Sequence, residues 1–189
     1  MSTLEKLKKF YRFLKQDTWQ SWIVSLVLIV IIIKFIFFPL LSFVTSSPLP
    51  LVVVESCSMY HESGFDPWWE SNSAYYESFE ITKDQFLSFP FKNGLNKGDI
   101  ILVIGKKEYN KGDIIIFKAK ATNPIIHRII TLNQISTKGD HNSGQLEMEK
   151  DIPEESIIGK SLVRIPLIGW LKLIFFEPLR PREQRGFCK

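Results

Sequence analysis

Cysteine and histidine are scarce: the 189 residues include two cysteines and three histidines. Cys57 and Cys188 are too few for a disulfide framework or a four-cysteine zinc site, and alone they fix neither compartment nor redox state. Basic charge is missing from the middle of the chain. Residues 1–17 and 172–189 each carry five Lys/Arg against two acids, a net +3 apiece, so a total of +4 leaves the stretch between them at −2. The pI near 9.0 therefore belongs to the two ends, which argues against a nucleic-acid-binding core. Even repetition is missing as well. Lys97-Gly98-Asp99, Lys111-Gly112-Asp113 and Lys138-Gly139-Asp140 share one turn-forming pattern, but their spacing of 14 and then 27 residues excludes a solenoid. The length allows one compact domain plus an attachment.

The attachment is legible at once. Residues 1–18 form a basic N-terminus, and residues 19–45 form an apolar run in which Lys34 is the sole charge. About 20 apolar residues suffice to span a bilayer. A cleaved leader would have a shorter apolar stretch ending in small residues, so an uncleaved transmembrane anchor is expected. A lysine at mid-bilayer costs about 2.5–3.5 kcal/mol, which snorkelling or a shift of the helix would relieve. Lys6, Lys8, Lys9, Arg12 and Lys15 precede the run, whereas the first charge after Lys34 is Glu55. The positive-inside rule then places the N-terminus in the cytoplasm and the remainder outside, on a single-pass anchor in the cell membrane.

Residues 46–54 read as a rigid Ser-Ser-Pro-Leu-Pro connector and a first strand. Short β-branched runs recur at 99–103, 113–117, 125–130, 156–158 and 162–165, bounded by Gly, Asp, Asn and Lys. The fold class expected is a mostly β domain, its core at 98–171, carrying an N-terminal transmembrane α-helix. Residues 55–97 interrupt it. Their 55–91 portion has ten aromatics and seven acids against one lysine, which suggests a partly helical insertion, with helical turns near Pro67–Phe79, covering one end of the β core or docking at a lipid–water boundary. Residues 165–176 are apolar but too short to span. With the basic tail 172–189 behind them, they suit either a bilayer surface or a core strand.

Three side chains offer chemistry. Ser58 lies in Glu55-Ser-Cys-Ser-Met59, directly after a strand, and a serine becomes a nucleophile only beside a base. His127 sits within an apolar strand, where an imidazole suits a general base near neutral pH. Asp140 closes the third Lys-Gly-Asp triplet, where a carboxylate could hold the ring in the tautomer that deprotonates serine. Cys57 as nucleophile is disfavoured, because neighbouring strand residues point to opposite faces. A Cys57/His61/His141 metal site has ligand types but no recognised spacing.

The order of anchor, Ser-Met, Gly-Asp strand, His-Arg strand and Lys-Gly-Asp-x-Asn turn resembles type I signal peptidases of the archaeal and endoplasmic-reticulum branch. The resemblance covers about residues 20–60 and 97–172. It implies a signal-peptidase-like β fold and a membrane-bound serine endopeptidase without cofactor or metal. Ser58 matches the nucleophile, His127 the base, Asp140 the acid and Ser56 an oxyanion donor. Implied partners are preprotein signal peptides, the lipid bilayer and the protein translocation machinery, with no nucleic acid. Many relatives carry a second aspartate six residues after the triplet. Leu146 stands there with Glu147 beside it, so the orienting acid is Asp140 or Glu147. Two alternatives remain: a catalytically inactive, membrane-tethered β module binding a translocation or processing partner, and a serine protease dedicated to one partner.

Overall fold

A computed structural model describes residues 2–105, 108–119 and 123–189, which divide into two compact units, residues 1–44 and 45–189. The first unit is helical. Helix α1 (Thr3–Leu14) starts in a capping box, Glu5 N–H donating to the Ser2 hydroxyl and Ser2 N–H to the Glu5 carboxylate, so each satisfies a donor that the helix end leaves free. Thr18 caps the next helix through Ser21 N–H.

From Trp19 to Thr45 the chain is one helical run of 27 residues whose most apolar 18-residue stretch has mean hydropathy 3.0, long and apolar enough to cross a membrane. It comprises α2 (Trp19–Ile32), a widened π turn (Ile33–Phe37) and α3 (Phe38–Thr45). The widening has a local cause. Pro39 has no N–H to give to the preceding turn and its ring crowds that turn's carbonyl, so the ladder loosens just ahead of it. Lys34 lies in this turn, its ammonium 5.5 Å from the Phe35 ring centre.

The second unit is a curled, six-stranded antiparallel sheet in the order β1-β2-β6-β3-β4-β5. Its strands are β1 (Leu51–Val53), β2 (Ile100–Ile104), β3 (Ile114–Phe117), β4 (Ile125–Thr131), β5 (Ser136–Lys138) and β6 (Ile157–Ile165). The runs at 156–158 and 162–165, expected as two strands, are one. Gly159 lets β6 pass closely beside β2, since a Cβ there would lie 2.5 Å from the Ile104 carbonyl oxygen. Register shifts at Leu102/Val103 and Ile116/Phe117 bend the ladders that flank β6.

Side-chain alternation assigns β3 to two cores. Ile114 and Ile116 join Val54, Met59, Leu95 and Ile101 on one face, while Ile115 and Phe117 join Ile129 and Ile152 on the other. The 55–97 segment contributes helices α4 (Phe65–Glu77) and α5 (Lys83–Ser88). Trp68, Trp69, Tyr76, Ile81 and Phe86 pack with Ile130 of β4 into an aromatic layer, so the insertion covers part of the sheet. The apolar run at 165–176 is neither a plain strand nor fully buried. Ile165 ends β6, and α6 (Trp170–Phe176) buries Leu173 while exposing Leu171, Ile174 and Phe175.

The three Lys-Gly-Asp triplets differ in their work. Gly98 and Gly112 adopt the left-handed backbone (φ 91° and 94°), and Gly112 has the Phe89 ring 2.3 Å from where a Cβ would stand. Gly139 has no such φ, and its small size serves a different purpose in the site. Gly112→Ala should therefore cost about 1–3 kcal/mol through strain and overpacking, read as a lower urea midpoint for the full chain in detergent. An unchanged midpoint would contradict the packing of Phe89 on this turn.

Candidate active site

Ser58 is presented by a turn that follows the edge strand β1. Val54 N–H donates to the Asp99 carbonyl and Gly98 N–H to the Val54 carbonyl just before β2, Tyr60 N–H closes on the Cys57 carbonyl, and Met59 is buried with its carbonyl accepting from Leu95 N–H. The buried Met59 fixes the turn, leaving Ser58 half-buried and Ser56 exposed. Two further ties hold this loop. Cys57 forms a disulfide with Cys188, so its sulfur is not a free thiol and the cysteine-nucleophile reading falls. Glu55 pairs with Lys172 at 2.8 Å and with the Arg180 guanidinium.

β4 brings the base. Its adjacent residues His127 and Arg128 are both buried and point to opposite faces. On one face the His127 Nε2 lies 2.9 Å from Ser58 Oγ, and Ser58 Oγ lies 3.1 Å from Ser56 Oγ. The other ring nitrogen, Nδ1, bonds the carboxylate of Glu149. A carboxylate there accepts Nδ1–H, which leaves Nε2 as the acceptor facing the serine hydroxyl. Ser58, His127 and Glu149 thus form one continuous hydrogen-bonded chain.

Glu149 is fully buried on a short 3₁₀ turn (Glu147–Glu149) and is itself held, accepting from Thr137 Oγ1 at 3.1 Å and Leu146 N–H at 2.7 Å. Gly139 closes the site from above. A Cβ on it would stand 2.7 Å from His127 Nε2 and 2.8 Å from the Ser58 carbonyl oxygen, so any side chain here would press on the Ser58–His127 contact.

Neither acid expected from the sequence touches His127. Glu147 points outward to Lys150, 2.7 Å away, with its side chain 88% exposed. Asp140 is buried on the opposite face of β4, where Arg128 Nη2 reaches its carboxylate at 2.7 Å and Nε at 3.0 Å. The Tyr76 hydroxyl and His61 Nε2 also donate to it, each at 2.9 Å, and Trp68 Nε1 bonds its carbonyl at 3.0 Å. With three side chains already donating to it, this carboxylate is committed to the fold. His61 stacks on Trp68 with ring centres 3.7 Å apart, away from any cluster with Cys57 and His141. Among the described residues no group of three or more His, Cys, Asp or Glu could hold a metal.

The electrostatics follow from burial and pairing. Burial alone would raise the Asp140 carboxyl, but the Arg128 charge and hydrogen bonds from His61 and Arg128 outweigh it and hold it well below the ordinary carboxylate range. Burial lowers His61 despite the pull of Asp140, so this imidazole is neutral near pH 7. Lys138 is buried with its ammonium 5.0 Å from the Tyr76 ring centre, and desolvation lowers it to about 8.

Neither a scan against protein-family models nor a search of curated protein sequences finds a significant match. Sequence reading missed Glu149 because three acids crowd 147–151 and none carries a distinguishing neighbour; the Cys57–Cys188 pairing had no local signal either.

Two outcomes test these assignments. Asp140→Asn leaves the buried Arg128 charge unpaired, which should cost about 3–5 kcal/mol of unfolding free energy, measured by urea titration; a loss under about 1 kcal/mol would contradict the pairing. For Lys138 the unfolded chain, titrating near 10.5, binds more protons than the folded one above pH 8. Stability contributed by this group therefore rises with pH from about 8 upward. Lys138→Met should flatten that rise in urea midpoints taken between pH 7 and about 9.5, and an identical slope would contradict it.

Proposed function

We propose that this chain is a membrane-anchored serine endopeptidase of the signal-peptidase type, removing signal peptides from exported preproteins. The observation that carries the proposal is the 2.9 Å contact between Ser58 Oγ and His127 Nε2, backed by the buried Glu149. Ser58 attacks the scissile carbonyl, and His127 takes the hydroxyl proton and returns it to the leaving amine. Glu149 keeps the ring in the accepting tautomer and stabilises the imidazolium that forms. The Ser56 hydroxyl and the Ser58 backbone N–H are the donors offered to the oxyanion, each such donor being worth about 10²–10³ in turnover.

The surroundings favour a site outside the cytoplasm and close to lipid. A disulfide persists in oxidising compartments, and the Cys57–Cys188 bridge sits beside the nucleophile, while the basic N-terminus belongs on the cytoplasmic side. The connector from Ser46 to Pro50 is short. The exposed Leu171, Ile174 and Phe175 lie one helical turn apart, beside Lys172 and ahead of Arg182, a surface suited to rest on a bilayer. A substrate whose own apolar segment lies in that bilayer meets the site at raised effective concentration. The intact hydrogen-bonded chain of Ser58, His127 and Glu149 favours turnover over an inert tethered module.

In a preprotein cleavage assay with the full chain in lipid, Ser58→Ala and His127→Ala should each abolish product. Glu149→Gln, which unsettles the ring tautomer, should lower turnover by roughly 10²–10⁴-fold with little change in KM. Wild-type rates in His127→Ala would end the proposal, and wild-type rates in Glu149→Gln would remove that residue from the mechanism.

A further inference from the structure

The peptidase reading makes no use of α1, yet this helix has two sharply different sides. Leu4, Leu7, Phe10, Tyr11 and Leu14 recur at helical spacing and define a face about 120° wide. Among the described residues only the Leu14 end of that face meets α2: Leu4, Leu7 and Tyr11 are 64%, 61% and 59% exposed, Leu14 is half-buried, and no residue of the helix is fully buried. Cations line both margins of the face, Lys6 along one and Lys8 and Lys15 along the other, while Lys9 and Arg12 occupy the opposite side. Long basic side chains so placed reach past an apolar face toward headgroups.

The neighbourhood says what the face meets. Only Lys15 to Thr18 separate α1 from the 27-residue apolar helix, and the joint is fastened. The Ser21 hydroxyl donates to the last carbonyl of α1, Leu14 O, at 3.0 Å, and Trp22 Nε1 donates to Asp17 at 3.2 Å. Trp19 and Trp22, both exposed, sit where indoles mark a membrane–water boundary. A groove of about 260 Å³ opens at this joint, lined by Leu14, Ser21, Trp22, Ser25, Leu26 and Ile29, and its walls suit a hydrocarbon chain.

We infer that α1 is an interfacial helix that lies on an anionic phospholipid surface, its apolar face among the acyl chains and its lysines and arginine against the phosphates. The membrane helix delivers α1 to the interface. The cations then make its binding depend on lipid charge, which an uncharged tether would not do. The inference stands apart from catalysis, since it concerns a different unit of the chain.

The test is amide hydrogen exchange of residues 3–14 in the full chain, held in nanodiscs of phosphatidylcholine alone or with a third of phosphatidylglycerol. Exchange should slow by about tenfold or more in the anionic discs, and high salt should reverse most of that change. Leu7→Glu with Tyr11→Glu should abolish the slowing. Lys8→Gln with Lys9→Gln and Arg12→Gln should remove its dependence on lipid charge while keeping the apolar face. Equal exchange in both discs, or unchanged slowing in the Leu7→Glu/Tyr11→Glu variant, would overturn the inference. Protection that ignores lipid charge and grows with the number of chains per disc would overturn it too, assigning the face to a second copy.

Discussion

The buried pair of Arg128 and Asp140 is the constraint on which the second unit depends. A guanidinium without solvent exposure must place every N–H, and this one does so on Asp140 and on the carbonyls of Pro90, Phe91 and Gly112. Those carbonyls belong to the end of the aromatic insertion and to the turn before β3, while Asp140 follows β5. One side chain therefore joins three separate stretches of chain to the middle of β4. Isolated burial of such charges would be prohibitive, and their mutual satisfaction makes the arrangement specific rather than merely strong.

The consequence reaches the site because His127 and Arg128 are neighbours on one strand. Once Arg128 is pinned on the insertion face, the pleat obliges His127 to project from the other. Asp140, pinned in its turn, sets Gly139 against the ring and His141 N–H on the Ser58 carbonyl, at 2.8 Å. Two carboxylates on opposite faces thus hold different groups: Asp140 holds Arg128 and with it the strand, and Glu149 holds the His127 imidazole. The Cys57–Cys188 bridge and the Glu55 ion pairs act from the far side, tethering the Ser58 turn to the C-terminal tail.

Much of this was legible in the chain. The 27-residue apolar helix, the mostly β body and the helical character of the insertion follow from periodicity, and the structure has them. Ser58 and His127 stood out because a histidine embedded in an apolar strand and a serine just past one are unusual placements, and the fold brings them together. The acid was not legible. The third Lys-Gly-Asp triplet looks like the other two, whose aspartates accept backbone N–H bonds in their own turns at Asn96 and Asn110. Only tertiary packing sends Asp140 to Arg128 instead. Which of Glu147, Glu149 and Asp151 turns inward depends on the phase of one short 3₁₀ turn, and no local pattern encodes that phase. The joining of two apolar runs into β6 was hidden for a related reason, since Gly159-Lys160-Ser161 reads as punctuation until neighbouring strands are known.

The division of labour between the two carboxylates is tested most directly by the imidazole N–H protons, observed by NMR in the full chain with ¹⁵N-labelled histidine. Two hydrogen-bonded ring protons are expected, one on His127 Nδ1 facing Glu149 and one on His61 Nε2 facing Asp140. The account predicts that Glu149→Gln shifts or removes the His127 signal and leaves that of His61 in place. A His127 signal unmoved by Glu149→Gln would contradict it.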